Sequence, residues 1–262
     1  MINILEHYEP ITLEEMGGIR LMNRTDTKFV TTEPKLLQLL QQAADDYYVQ
    51  EIDGRRIASY YTLYFDTEHC DMFRAHHCGK LNRQKLRIRS YVDSDLDFLE
   101  VKTKNNHGRT KKKRIELSSA ATYRAGAGQT MSLPTGRDDV EPFLSDNLRY
   151  DTHDISGKIE NRFRRITLVN KAKTERLTID TGIEFHNLRG DSRLTLTNIA
   201  IIELKRDGLQ PSPILEMLRA LRIRPMGFSK YCMGMAMTDD ELRRNRFMTR
   251  MAKIERLRRA TP

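Results

Sequence analysis

The chain has 262 residues, with 45 Lys plus Arg against 36 Asp plus Glu, a net charge of +9, and 39 % hydrophobic residues. This is room for one large domain or two small ones with a sizeable core, which excludes a disordered chain, and the charge points to an anionic partner. No charge-free run approaches the ~20 apolar residues of a membrane span, MINILEHYEP has no signal-peptide pattern, and three cysteines, Cys70, Cys78 and Cys232, leave one unpaired, so a reduced cytoplasmic setting is expected.

A short helix is expected at Thr12–Met16, stopped by Gly17-Gly18, then a strand at Leu21–Thr31. Thr32 is placed to cap a helix from Glu33 to about Asp46, with Pro34 in its first turn. Strands are expected at Ser59–Asp66, Arg83–Val92, Asp97–Lys104 and Thr110–Leu117, with Asn105-Asn106-His107-Gly108 turning the last pair. Residues 118–157 read as irregular, apart from a short helix near Val140–Asn147. Strands resume at Lys158–Asn170, Glu175–Phe185 and Asn198–Lys205. Helices follow at Pro213–Ile223, Ser229–Met237 and Asp239–Ala260. Strands in hairpin order with helices gathered at the end predict an α+β fold with one large antiparallel, eight-stranded sheet, closed as a barrel if its charged face turns inward.

The basic residues alternate along the strands. Lys80 to Arg114 carries 12 Lys/Arg against 4 acids. One face of successive strands reads Arg24, Asp26, Lys28; Lys85, Arg87, Arg89, Tyr91; Glu100, Lys102, Lys104; Lys112, Arg114, Glu116; Phe163, Arg165, Thr167; Arg176, Thr178, Asp180; Glu203, Lys205. The opposite faces carry Leu86, Ile88, Leu99, Val101, Ile115, Leu117, Ile166, Leu168, Leu177, Ile179, Ile202 and Leu204, the candidate core. A single such strand is explained by a sheet with one face in water. Seven strands repeating the same positive choice are not, because like charges opposite one another destabilise a sheet. The charged faces are therefore expected to line a tunnel whose ligand is a long polyanion held by guanidinium and ammonium groups, with Glu203 left to share a divalent metal with phosphate oxygens.

The stretches RTDTKFV (24–30), YYTLYFDT (60–67), NRQKLRIRSY (82–91), FLEVKTK (98–104), KKRI (112–115), FRRITLV (163–169), ERLTID (175–180), IIELK (201–205) and FSKY (228–231) occur in that order. On them the chain resembles, from about Leu21 to Met237, bacterial VTC-domain proteins, which are related to the catalytic domain of the vacuolar transporter chaperone polyphosphate polymerase in the triphosphate tunnel metalloenzyme superfamily. The resemblance implies an antiparallel tunnel for ATP and a growing polyphosphate chain, with divalent metal, Mn²⁺ or Mg²⁺. It places the catalytic bases at Lys28, Arg87, Arg89, Lys102, Lys112, Arg165, Arg176 and Lys230 and the metal-binding carboxylate at Glu203. Arg24, Lys104, Arg114, Lys205 and Ser229 are the further phosphate-binding candidates. Two positions depart from the polymerases: His76-His77 stands where they carry another arginine, and Phe163 where they carry a tyrosine. Arg24-Thr-Asp26-Thr-Lys28 replaces the E-x-E-x-K strand of the superfamily's triphosphatases, which favours transfer between phosphate chains over hydrolysis.

Ser229 before Lys230 reads as a helix cap able to hold phosphate. His69, Cys70, His76, His77 and Cys78 fit no zinc spacing, and His76 or His77 is expected at the tunnel mouth. Met226, Met233, Met235 and Met237 read as packing. The basic segment 239–262 is taken as an appendage to a tunnel domain of residues 1–238. Its helix is either solvated and packed on one side, or docks on a membrane surface or membrane protein, or gathers polyphosphate. Nucleic acid is not expected, since the chain has no Trp and no stacking platform. The function classes are an ATP-dependent polyphosphate polymerase, a triphosphatase or ATPase, and a non-catalytic polyphosphate or nucleotide sensor.

Overall fold

The computed structural model describes residues 1–17, 24–117, 132–208 and 210–260. Among these, eleven strands form one sheet: β1 (Glu9–Ile11), β2 (Arg24–Thr31), β3 (Tyr47–Gln50), β4 (Ala58–Thr67), β5 (Arg83–Tyr91), β6 (Leu96–Lys104), β7 (Thr110–Leu117), β8 (Ile155–Asn170), β9 (Glu175–Asn187), β10 (Ser192–Leu196) and β11 (Ala200–Asp207). Eight of them follow the antiparallel order β2-β11-β9-β8-β4-β5-β6-β7, and the end strands β2 and β7 are not paired with each other.

The turns follow local chemistry. Asn105 Oδ1 accepts the Arg109 N–H at 2.9 Å, and Gly108 takes φ +77°, a left-handed angle that glycine adopts without a Cβ penalty. Between β8 and β9, Asn170 Oδ1 accepts the N–H groups of Thr174 (2.8 Å) and Glu175 (3.0 Å).

The apolar faces enter two cores. Ile166, Leu168, Leu177, Ile179, Ile202 and Leu204 pack under the helices Glu33–Ala43 and Pro213–Ala220 through Leu36, Leu39, Leu40, Ile214 and Leu218. Leu86, Ile88, Leu99, Val101 and Leu117 join the larger core, which also takes Val140 and Leu144 from the helix Val140–Asn147. The helix Lys230–Thr238 contributes Tyr231, Cys232, Met233, Met235 and Ala236 to that core, so its methionines are packing residues.

Several boundaries differ from the sequence pattern. Three short strands, β1, β3 and β10, escape it because three to five residues carry too little alternation to register. The helix Asp71–His77 also lies outside the expected set. Thr32 occupies the cap position but makes no side-chain cap bond, and the Glu33 N–H donates instead to Asn198 Oδ1 at 3.3 Å. The helix expected at Asp239–Ala260 is interrupted. Arg244 Nη1 donates back to the Ala236 carbonyl at 3.1 Å, a 3₁₀ turn covers Asn245–Phe247, and the α-helix runs only over Met248–Arg259. Phe247 and Ile254 are buried in the larger core with Met251 and Leu257 against it, so the apolar side of this basic helix faces the protein. Among the described residues no helix is long and apolar enough to cross a membrane. Gly17 ends a helix Leu13–Gly17, whereas Gly18, residues 21–23 and, of the segment 118–157 read as irregular, residues 118–131 lie outside the described residues.

Gly234 fixes how closely the helix Lys230–Thr238 sits on β8 and β9. A Cβ there would stand 2.6 Å from Phe185 and 2.7 Å from Ile159. In an open helix, Gly→Ala gains about 1 kcal/mol of propensity. Here overpacking of about 1–3 kcal/mol outweighs it. Gly234→Ala is expected to lower the denaturant midpoint; a raised midpoint would show that the helix can shift outward freely.

Candidate functional site

In a flat sheet β11 and β6, five strand steps apart, would lie about 24 Å from each other at ~4.8 Å per step. Instead Lys102 on β6 and Glu203 on β11 act on each other's ionisation, and Lys28 on β2 acts on that of Lys102. The sheet is curled, and its charged face is the concave one.

The segment that starts the helix Lys230–Thr238 crosses this concavity. Lys28 Nζ donates to the Phe228 carbonyl at 3.1 Å, Lys85 Nζ donates to Ser229 Oγ at 2.7 Å, and Lys230 pairs with Asp180. Three consecutive residues thus tie β2, β5 and β9 together. Ser229 is also the helix cap, its Oγ accepting the Cys232 N–H at 3.3 Å.

Three carboxylates on the concave wall are each clamped by two bases. Glu100 takes Arg87 at 2.6 Å and Lys112 at 2.9 Å. Asp180 takes a bidentate Arg165, at 2.6 and 2.8 Å, and Lys230. Glu203 takes Lys205 at 2.6 Å and Lys28 at 3.5 Å. Burial alone would raise these carboxyls, but the paired bases hold all three well below the usual carboxylate range, Glu100 at about 2.

Three of the bases without a carboxylate partner are pushed down in pKa. Arg89 is only 8 % exposed and has no carboxylate partner; its Nε reaches Thr62 Oγ1 at 3.4 Å. Burial and the neighbouring Arg87 and Arg165 push its pKa down. Lys85 has Ser229 and no carboxylate, and burial lowers it too. Lys102, which solvent reaches, makes no hydrogen bond or ion pair among the described residues. Burial by its neighbours, then repulsion from Arg87, Lys28 and Lys85, brings it to about 7. In register, Lys85, Lys102 and Lys112 stand side by side across β5, β6 and β7, with Arg87, Glu100 and Arg114 in the row two residues on. The same positive field lowers the Tyr64 phenol: burial raises it, and Arg87, Arg89, Lys230 and Lys85 more than compensate.

Aromatic rings lie against cations with and without a carboxylate partner. Phe163 stacks on Tyr60 at 5.1 Å; Arg89, Arg165 and Lys230 lie 5.8, 5.2 and 4.2 Å from its centre. β4, which supplies Tyr60, Thr62 and Tyr64, has no Lys or Arg, so a search for alternating charge passes over it; its YYTLY alternation was the available signal.

The remaining candidates are placed as follows. Arg176 lies beside Lys205 in register, and Lys104 beside Arg83. Arg114 is exposed, its guanidinium 4.2 Å over the Phe98 ring. Arg24 is described only as the first residue of β2, opposite Asp207, its side chain lying outside the described set. His77 does not face the concavity: its Nε2 meets Asn245 Oδ1 at 2.7 Å, and its ring packs on Phe73 and Phe247. His76 is held neutral, near 3, by burial and then by Lys85, Arg83, Arg250 and Lys104. Among the described residues no three His, Cys, Asp or Glu side chains converge as a metal site.

The model of the VTC domain matches residues 23–238. The chain belongs to the VTC domain family. No curated protein matches it. Among solved structures it is similar to a Vibrio parahaemolyticus protein provisionally assigned as an adenylate cyclase: 10 % identity, 80 % of this chain, 96 % of that chain, TM-score 0.44. It is likewise similar to a Hippeastrum protein described as having a dominant triphosphatase activity: 17 % identity, 83 % and 97 % coverage, TM-score 0.47. A conserved hypothetical protein from Pyrococcus furiosus matches at 13 % identity, 78 % and 97 % coverage, TM-score 0.40.

The VTC domain thus holds two kinds of cation, those paired with a carboxylate and those that make no ion pair among the described residues. Arg89→Gln and Lys102→Gln are expected to raise the melting temperature of the ligand-free protein, because each removes an uncompensated charge. Arg87→Gln is expected to lower stability by about 1–3 kcal/mol, because Glu100 loses a partner. Lys102 binds its proton more weakly folded than unfolded, where its pKa is ~10.4. Between about pH 7 and that value the unfolded chain holds more protons, so this group makes stability rise with pH. Denaturant midpoints at several pH values should show that rise, and Lys102→Gln should flatten it; an unchanged slope would place the lysine's ordinary pKa in the folded state.

Proposed function

We propose that the concave face binds a chain of phosphates and catalyses transfer of the γ-phosphoryl group of ATP onto polyphosphate. The observation that carries this reading is the set of three uncompensated cations, Lys85, Arg89 and Lys102, beside cations already oriented by Glu100, Asp180 and Glu203. A polyanion there relieves the repulsion and meets donors whose positions are fixed beforehand, so little reorganisation opposes binding.

In this reading the terminal oxygen of the acceptor chain attacks the γ-phosphorus, the bond from the γ-phosphorus to the β–γ bridging oxygen breaks, and ADP leaves; one phosphoanhydride replaces another. The transition state spreads negative charge over the γ-oxygens, and Arg87, Arg89, Arg165 and Lys230 would bind that charge. Lys28, Lys102 and Lys112 would hold the flanking phosphates as point charges. A divalent ion fits the donor set in one way: Glu203 is a hard oxygen ligand on the wall, and Mg²⁺ or Mn²⁺ commonly takes one or two carboxylates with the rest of its shell from phosphate and water. Such an ion would neutralise charge on the transferring phosphoryl group. Glu100 and Asp180 are both engaged by bases, so neither pairs with Glu203 to activate water, which favours transfer over hydrolysis.

Purified protein with ATP and Mn²⁺ or Mg²⁺ is expected to yield polyphosphate on a resolving gel together with ADP. Orthophosphate as the only phosphate product would instead make it a triphosphatase, and no turnover would make it a sensor. Glu203→Gln is expected to retain tripolyphosphate binding and slow chain synthesis about 10²-fold; undiminished turnover in a folded variant would remove Glu203 from the reaction.

A further inference from the structure

A second cationic surface lies on the opposite side of β6 and β7. There the two strands and the segment after the helix Val140–Asn147 enclose a groove of about 590 Å³. Arg109, Lys111, Lys113 and Arg149 line it with a single acid, Asp146, and none of the four bases makes an ion pair among the described residues. The groove wall is rigid. Gln84 donates to Thr103 Oγ1 at 2.9 Å and to the Asn147 carbonyl at 2.7 Å, and its own oxygen accepts the Arg149 N–H at 2.9 Å. Both amide hydrogens and the oxygen of Gln84 are engaged, which ties β5 and β6 to the segment that closes the groove.

β7 is therefore cationic on both faces. Lys112 and Arg114 belong to the concave side; Lys111 and Lys113 alternate with them on the outer side. It is also the last strand of the sheet path, and among the described residues no strand pairs with its far edge. A chain leaving the concave face past β7 meets the outer bases within one strand width. The groove lining contains no aromatic ring, so it has nothing on which nucleobases could stack. A flexible polyanion without bases fits it.

We propose that this groove is a second binding site, for the part of a long polyphosphate chain that has passed out of the concave face and over the β7 edge. The proposal rests on the phosphate-chain reading of the concave face and extends it to chain length: short chains use the inner wall alone, long chains use both sides of β7.

The test is binding of tripolyphosphate and of long-chain polyphosphate to the full chain and to the triple variant Lys111→Gln, Lys113→Gln, Arg149→Gln. The expected result is at least about a tenfold loss of affinity for the long chain with tripolyphosphate affinity unchanged, since three phosphate contacts are removed from one ligand only. Retained tripolyphosphate binding also reports that the variant is folded. Unchanged long-chain affinity, or an equal loss for both ligands, would overturn the second site. So would single-stranded DNA binding the wild type as tightly as long-chain polyphosphate, with the same loss in the triple variant. The concave-face reading is judged separately by Arg89→Gln: if tripolyphosphate binding survives that change, the inner site is wrong even where the outer variant behaves as expected.

Discussion

Repulsion among cations on one concave wall is the constraint around which this protein is organised. Like charges opposite one another in a sheet are unfavourable, and curling the sheet brings β5 and β6 toward β2 and β11, which worsens it. The wall survives because Glu100, Asp180 and Glu203 each bind two bases, and because Phe163, Tyr60 and Tyr64 present ring faces to Arg87, Arg89 and Arg165. The neutralisation is incomplete. Arg89, Lys85 and Lys102 lose proton affinity, and a neutral phenol, Tyr64, is acidified by the same field. A site in this condition is poised for anions before any anion arrives.

The curl is held by contacts across the concavity. The sheet path ends at β2 and β7 without their pairing, so hydrogen bonding between edges does not close it. The segment Phe228–Lys230 instead gathers Lys28, Lys85 and Asp180 from three separate strands, and the helix it starts is pressed onto β8 and β9 at Gly234. Asp66 fixes the next residue. Its carboxylate accepts the N–H groups of Met72 and Phe73, each at 2.9 Å, and the Tyr231 hydroxyl. The groups that give the wall its chemistry are thus the groups that hold its shape. Packing does the rest from behind, where two separate cores cover the outer faces of the strands.

The substitution of aromatic rings for carboxylates has a functional consequence. A carboxylate that neutralises a cation competes with phosphate for it; a ring stabilises the cation while leaving its hydrogen-bond donors free. Phe163 lies under Arg89, Arg165 and Lys230 together, so one apolar side chain orients three donors. A phenylalanine there, where the related polymerases have tyrosine, keeps the ring face and lacks only the hydroxyl.

The strand faces were legible in the sequence because a strand's side chains alternate regardless of what surrounds it: Leu86 and Ile88 had to lie opposite Arg87 and Arg89, and the candidate core list matches the buried residues of two cores. The longer helices were legible to their apolar spacing, whereas Ile2–Leu5 and Asp71–His77 were not, and Arg244 turns back to the Ala236 carbonyl where the expected C-terminal helix is interrupted. Register and curvature were not legible, because they depend on which strands pair and on what fills the concavity. Alternation placed Glu100, Asp180 and Glu203 on the charged face but could not say that each meets two bases from other elements. It passed over β4, whose Tyr60, Thr62 and Tyr64 carry no charge to mark them. Whether a cation ends beside a carboxylate, a ring or nothing is decided by neighbours tens to hundreds of residues away, and only the tertiary structure assembles those neighbours.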